Sequence, residues 1–136
     1  MTVRVALDAM GGDHAPEATV RGALDAVTNH DLEVILVGDE AALAPELEEA
    51  GEIPPGLHLH HASQVVEMED HPSHALRRKK DSSLRVAFDL VRSGEADAVV
   101  SAGHSGAALA MGMFVLKRVP GIDRPAIVAV FPTTHG

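Results

Sequence analysis

The stretch VRVALDAMGGDHAP, residues 3–16, decides how the chain begins to fold. Its first half, VRVALD (3–8), predicts a β-strand, and the two glycines that follow predict a tight turn. Pro16 fits the first turn of a helix, and Glu17 lies where a negative charge stabilises the positive end of that helix. A strand, a glycine turn and a helix in this order form one unit of an α/β sheet. The turn is a candidate site for a phosphate or carbonyl oxygen.

The rest of the chain continues this alternation of apolar strands and helices. Further strands are predicted over 33–37, 57–61, 98–101 and 126–131, and helices over about 16–30, 45–50, 84–91 and 106–117. The segment 66–72 has little periodicity and is predicted to be a loop. Because the strands are continuous apolar runs, they are typical of a parallel sheet covered on both faces. We therefore predict a three-layer α/β fold around a mostly parallel sheet.

The last predicted strand, AIVAVF (126–131), is followed only by PTTHG. In an α/β domain such a strand is ordinarily covered by a helix that comes after it. We therefore expect residues 1–136 to be a fragment.

The composition limits the possible functions. The net charge is −9 and aromatic residues make up 2% of the chain, which argues against a broad nucleic-acid surface. There is no cysteine, so disulfides, a thiolate nucleophile and a cysteine-bound metal are excluded within this chain. Because Asp8 interrupts the first apolar run, the beginning of this sequence does not show the pattern of a signal peptide. The longest apolar run, AALAMGMFVL (107–116), is too short to span a bilayer. We expect a cytoplasmic protein.

Two glycine turns follow predicted strands and lead into predicted helices: AMGGDHAP (9–16) and SAGHSGA (101–107). In open α/β sheets ligands bind beyond the carboxyl ends of the strands, and free N–H groups at a helix start attract anions. Neither turn matches a dinucleotide or nucleoside triphosphate motif. The alternative is that the glycines only allow tight turns. The residues around these turns that are candidates for binding an anion or a carbonyl oxygen are Asp8, Gly11, Gly12, Asp13, Ser101, Gly103, His104, Ser105 and Gly106.

The two acidic candidates, Asp8 and Asp13, bracket the first turn. They are expected to hold loop N–H groups or a lysine in place, with a general base as the alternative for one of them. We assign no catalytic residue from the sequence.

The stretch RRKKDSSLR (77–85) concentrates five of the eleven basic residues in an acidic chain. Arg77, Arg78 and Lys79 are candidates for contact with an acidic partner, because a local positive surface steers such a partner to one place. The next candidates for binding an anion, at the start of the following helix, are Lys80, Ser82 and Ser83. The alternative is a solvated basic helix end.

Histidine is frequent, with nine residues. His58 and His60 would share one face of a strand, and His61, His71 and His74 follow nearby. Their spacing matches no familiar metal motif. We expect surface histidines, no metal site and no cofactor.

Five segments together closely resemble the phosphate acyltransferase family of bacterial phospholipid synthesis: LDAMGGDHAP (7–16), LVGD (36–39), RRKKDSS (77–83), SAGHSGA (101–107) and GIDRPA (121–126). They occur in the family's order and cover nearly the whole chain. The resemblance implies an isocitrate/isopropylmalate dehydrogenase-like fold, a homodimer and a cytosolic enzyme that works next to the membrane. It also implies transfer of a fatty acyl group from acyl carrier protein to inorganic phosphate, which gives acyl phosphate.

The sequence departs from the family in two respects. His104 and Ser105 stand where the family usually has Asn-Thr, and family members are much longer. The resemblance therefore implies that residues 1–136 are the N-terminal part of a single α/β catalytic domain. Two other readings remain open: a phosphate-binding oxidoreductase of the same fold, and a fragment that binds an anion or a partner without catalysis.

Overall fold

The computed structural model describes residues 1–134, and its sheet has four parallel strands. These are β1 (Val3–Asp8), β2 (Leu32–Gly38), β3 (Leu57–His61) and β4 (Ala98–Val100). The strand order is β3-β2-β1-β4, with every pair parallel, so β1 is paired on both sides. The predicted parallel α/β sheet is confirmed.

Five α-helices and one π-helical segment connect and cover the described strands. They are α1 (Glu17–Asn29), α2 (Glu40–Ala50), α3 (Pro72–Arg78), α4 (Ser83–Ser93), α5 (Ser105–Met111) and the π-helical segment Gly112–Leu116. None of the helices in the described part of the chain is both long and apolar enough to cross a membrane.

The alternation of side chains along β2 builds two cores, one on each face of the sheet. Val34 and Leu36 are buried on one face in a cluster that includes residues of α1 and α2. Ile35 and Val37 are buried on the other face in a cluster that includes residues of α4. Helices therefore lie on both sides of the sheet, as the continuous apolar strands predict.

Local signals explain where the helices begin and end. Ser82 caps α4 and Gly94 ends it in the left-handed conformation, with φ 83°. The prediction that α2 begins near Pro45 is wrong, because the Asp39 carboxylate accepts a hydrogen bond from the Ala41 N–H at 3.1 Å and starts the helix earlier. The segment predicted as one helix over 106–117 is α5 followed by the π-helical segment.

The end of the described chain differs from the prediction. Residues 126–131 form no strand, and Val128, Val130 and Phe131 are 87%, 95% and 78% exposed. A strand needs a partner for its backbone N–H and C=O groups and a layer to cover its side chains. Within residues 1–134 this segment pairs with no strand and no layer covers its side chains, and the outer edge of β4 is left unpaired. For the same reason β4 is not the buried strand that the sequence predicts, and Val100 is 51% exposed.

Candidate active site

Asp8, the last residue of β1, joins three elements at the carboxyl edge of the sheet. Its side chain is buried and accepts hydrogen bonds from the Ser83 hydroxyl at 2.6 Å and the Ser101 hydroxyl at 2.8 Å. The Met10 N–H also donates to it, at 3.2 Å. The carboxylate thereby fixes the end of β1, the first residue of α4 and the residue that follows β4. The sequence predicts that Asp8 holds loop N–H groups in place. In the structure it holds one N–H group and two hydroxyls.

The two glycine turns touch each other because β1 and β4 are neighbours in the sheet. A β-carbon on Gly103 would lie 3.1 Å from the Gly11 Cα, and one on Gly11 would lie 2.5 Å from a carboxylate oxygen of Asp8. Gly12 has φ +114°, which side chains rarely allow, and a β-carbon there would lie 3.3 Å from the Ala102 β-carbon. The glycines therefore permit both the turn and the close approach of the two loops.

An open cleft of about 690 Å³ lies beside the two turns. Its walls are the first turn with the start of α1, residues 102–103 of the second turn, and the segment 65–68. The cleft lies beyond the carboxyl ends of β1 and β4, where parallel α/β sheets bind their ligands.

Within the described chain, the first turn leaves backbone donors without a partner beside this cleft. The N–H groups of Gly12, Asp13 and His14 have no acceptor among residues 1–134, and all three residues are exposed. The charged or titratable side chains that line the cleft are those of Asp13, His14 and Glu67; no lysine or arginine of the described chain does so. The potential anion donors beside the cleft are therefore backbone N–H groups and His14, which the sequence interpretation did not single out.

An ion pair that does not line the cleft holds the segment 65–68 in place. The Lys79 ammonium lies 2.5 Å from an Asp70 carboxylate oxygen and donates a hydrogen bond to the Val65 carbonyl at 2.8 Å. The same Asp70 oxygen accepts from the Glu67 N–H at 2.8 Å. The pKa of Asp70 is lowered, chiefly by the Lys79 hydrogen bond and then by the Glu67 N–H.

The second turn is tied to the same segment through His104. Its Nε2 lies 2.9 Å from the Asp70 carbonyl, and its Nδ1 accepts a hydrogen bond from the Ala107 N–H at 3.3 Å, so His104 caps α5. Ser105 is exposed at the start of this helix, and a β-carbon on Gly106 would lie 3.0 Å from the His104 ring. The glycine lets the ring lie close to the helix start.

The basic stretch is divided by the end of α3. Arg77, Arg78 and Lys80 are exposed, whereas the Lys79 side chain is only 21% exposed and points inward. The Lys79 ammonium is used within the chain, unlike the exposed cations beside it, and its contact with an acidic partner stays a prediction. Lys80 does not line the cleft, so its contact with a phosphate stays a prediction.

Ser82 is the capping residue of α4. Its buried hydroxyl accepts a hydrogen bond from the Arg85 N–H at 3.2 Å, while the Ser83 hydroxyl is used by the carboxylate at the end of β1. Asp81, just before the cap, accepts from the Ser63 hydroxyl at 2.5 Å and from the Ser63 N–H at 2.9 Å, and these bonds lower its pKa. Binding of an anion by Ser82 and Ser83 stays a prediction.

The histidines after β2 do not converge on one point. The His58 ring lies 3.4 Å from a Glu33 carboxylate oxygen, and the His61 ring accepts from the Glu40 N–H at 3.2 Å. Among residues 1–134, no group of three or more histidine and acidic side chains is arranged to hold a metal ion.

Sequence reasoning missed the wall formed by residues 65–68 and its support by Asp70. The segment lacks periodicity, and periodicity is the signal that assigns a residue to an element. Lys79 and Lys80 are also adjacent and identical in sequence. They lie just after the end of α3, where Lys79 points inward and Lys80 is exposed. Pro72 is the local signal in this region, because proline is favoured at the first position of a helix and α3 begins there.

The fold and the cleft together define the chain as a parallel α/β protein with a glycine-turn site at the carboxyl edge of its sheet. The chain belongs to the fatty acid synthesis protein family, whose family model matches residues 3–136. This confirms the family that the sequence segments indicate.

Its curated relatives are named phosphate acyltransferase. The chain is 58% identical over 134 residues to that of Geobacter sulfurreducens, 57% over 137 residues to that of Myxococcus xanthus and 56% over 134 residues to that of Methylococcus capsulatus. These matches cover 98%, 98% and 97% of this chain but 39%, 38% and 40% of the relatives. The chain thus spans about two fifths of the length of these relatives.

Proposed function

We propose that this chain supplies the phosphate-binding part of an acyltransferase that moves a fatty acyl group from acyl carrier protein to inorganic phosphate. The product is an acyl phosphate for phospholipid synthesis. The observation that carries the proposal is the pair of touching glycine turns, with the N–H groups of Gly12, Asp13 and His14 left unpartnered beside a cleft. The names of the relatives support acyl transfer to phosphate, and the name of the family supports a fatty acyl donor.

The reaction needs a bound and oriented phosphate more than it needs a protein nucleophile. A phosphate oxygen attacks the thioester carbonyl carbon, and the new C–O bond gives a tetrahedral intermediate with a negative oxygen. The C–S bond then breaks, and the carrier thiolate takes the proton that the hydrogen phosphate loses. Because phosphate is itself the nucleophile, a chain without cysteine can support this chemistry.

The first turn is suited to the phosphate. Its backbone donors hold the anion, and orientation of two reactants can contribute about 7–11 kcal/mol in favourable cases. A donor to the negative oxygen of the intermediate is typically worth about 3–4 kcal/mol. We assign the holding of the phosphate to the N–H groups of Gly12 and Asp13 and to the His14 side chain. Asp8 acts through the turns it joins, since its oxygens already accept three hydrogen bonds.

The exposed cations are suited to the carrier protein. Arg77, Arg78 and Lys80 form a positive surface on a chain with net charge −9, and an acidic carrier protein is attracted to such a surface. The remaining expectations of the resemblance are proposals as well: a dehydrogenase-like fold, a homodimer and contact with the membrane.

Steady-state assays of the complete product of the gene that encodes these residues test the proposal. Acyl carrier protein loaded with a fatty acyl group should release free thiol only when phosphate is present. The oxidoreductase alternative instead predicts a change in NADH absorbance that does not need the thioester. Thiol release that is independent of phosphate concentration would contradict the proposal.

A further inference from the structure

We infer that Lys79 and Asp70 are positioning residues that hold the 65–68 wall of the cleft and thereby set its affinity for phosphate. The inference rests on the proposed function and deepens it, because it moves Lys79 from the carrier surface to the phosphate site. The charged side chains that carry the inference lie behind the wall and do not touch the cleft.

One ion pair holds the wall at two residues, Val65 and Glu67. The Lys79 ammonium bonds to the Val65 carbonyl at 2.8 Å and to the Asp70 carboxylate at 2.5 Å. The same carboxylate accepts from the Glu67 N–H at 2.8 Å. The side chains of Lys79 and Asp70 are 21% and 18% exposed, so this pair is shielded from water more than an ordinary surface pair. Without the ammonium, the Val65 carbonyl and the carboxylate both lose their bridging partner.

A second contact connects Asp70 to the second glycine turn. Because the Ala107 N–H donates to Nδ1 of His104, the ring proton is on Nε2, which donates to the Asp70 carbonyl at 2.9 Å. His104 belongs to the second glycine turn, so Asp70 is bonded to Lys79 through its side chain and to this turn through its backbone. The width of the cleft is therefore fixed by contacts that meet at Asp70.

The test compares three variants of the complete gene product with the unchanged protein. Lys79→Met removes the ammonium, Lys79→Arg retains a donor, and Asp70→Asn removes the charge with little change of volume. Arg4→Met is the matched control, because Arg4 also pairs with a carboxylate, that of Glu33, and donates to a backbone carbonyl away from the cleft. Amide hydrogen exchange, calorimetric binding of inorganic phosphate and the KM values for both substrates are measured.

We expect exchange at the Glu67 N–H to become roughly 10-fold to 100-fold faster in Lys79→Met and in Asp70→Asn. The dissociation constant and the KM for phosphate should rise about tenfold, as expected when one charge-assisted contact is lost. Lys79→Arg should recover part of both effects, while the KM for the acyl carrier protein stays the same. Arg4→Met should leave phosphate binding unchanged.

Two results would overturn the inference. The first is a raised, salt-sensitive KM for the carrier protein in Lys79→Met with unchanged phosphate binding, which would return Lys79 to the carrier surface. The second is faster exchange at Glu67 with unchanged phosphate binding in a folded Asp70→Asn protein. Phosphate binding by the unchanged protein without phosphate-dependent thiol release would instead contradict the proposed function, and the variants would still test the positioning role.

Discussion

The Asp8 carboxylate accepts a hydrogen bond of 2.6 Å from the Ser83 hydroxyl, although 75 positions separate the two residues. This contact brings the start of α4 to the end of β1, where the first glycine turn begins. The site is therefore organised by a buried carboxylate that serves several loops at once.

Replacement of Asp8 by Asn is predicted to lower the free energy of unfolding by about 1–3 kcal/mol. The amide offers one acceptor oxygen where the carboxylate offers two, so one hydroxyl, that of the buried Ser83 or that of the half-buried Ser101, loses its acceptor. Urea unfolding of the variant and of Asp31→Asn, an exposed control, measures the difference. Equal stability of the two variants would show that Asp8 does not hold these elements together.

The pair formed by Asp70 and Lys79 predicts a response to acid. Because the folded pKa of Asp70 is lowered, its contribution to stability is complete above the ordinary aspartate pKa and is lost as pH falls through the folded value, below about pH 4. An NMR titration of the side-chain carboxyl should give a midpoint below the ordinary value, and Lys79→Met should raise it. A midpoint that the variant leaves unchanged would contradict the contact.

The exposed arginines predict salt-dependent binding of the carrier protein. Changing Arg77 and Arg78 to Ala should raise the KM for acyl carrier protein severalfold and weaken its dependence on salt, because exposed charges are screened. The KM for phosphate should change little, since neither side chain lines the cleft. The double variant Arg21→Ala with Arg92→Ala makes the same change of charge elsewhere. If both double variants behave alike, α3 is not the docking surface.

The apolar segment near the end of the described chain predicts self-association of the 136-residue chain. Val128 and Val130 are 87% and 95% exposed, and the edge of β4 is unpaired. Exposed apolar segments and open strand edges promote association. Sedimentation should find oligomers that Val128→Lys with Val130→Lys reduces. A monomer at all concentrations would contradict this expectation.

Local signals were enough to predict much of the fold. The apolar runs of β1 and β2 and the serine and glycine that flank α4 act within a few residues, so the sequence displays them. The strand predicted over 126–131 failed because an apolar run becomes a strand only when a partner and a cover are present.

The site was only partly predictable for the same reason. Both glycine turns were identified from the sequence. They lie close together because β1 and β4 pair in parallel, which places both turns at the same edge of the sheet. The direction of the Lys79 side chain depends on Asp70 and on a backbone carbonyl 14 positions away, which no spacing rule encodes. Contacts between side chains that are distant in sequence follow from the assembled fold.

The central claim is that the first glycine turn binds the phosphate nucleophile, and Gly12→Ala tests it most directly. Gly12 and Gly51 both have positive φ, at +114° and +82°, so alanine strains the backbone at either position. Only Gly12 borders the cleft, and a β-carbon on Gly51 meets no atom within 4 Å. In the complete gene product, the KM for phosphate in phosphate-dependent thiol release should rise at least about tenfold for Gly12→Ala, equivalent to about 1.4 kcal/mol of binding, and stay unchanged for Gly51→Ala. An unchanged KM for phosphate in a folded Gly12→Ala protein would contradict the account.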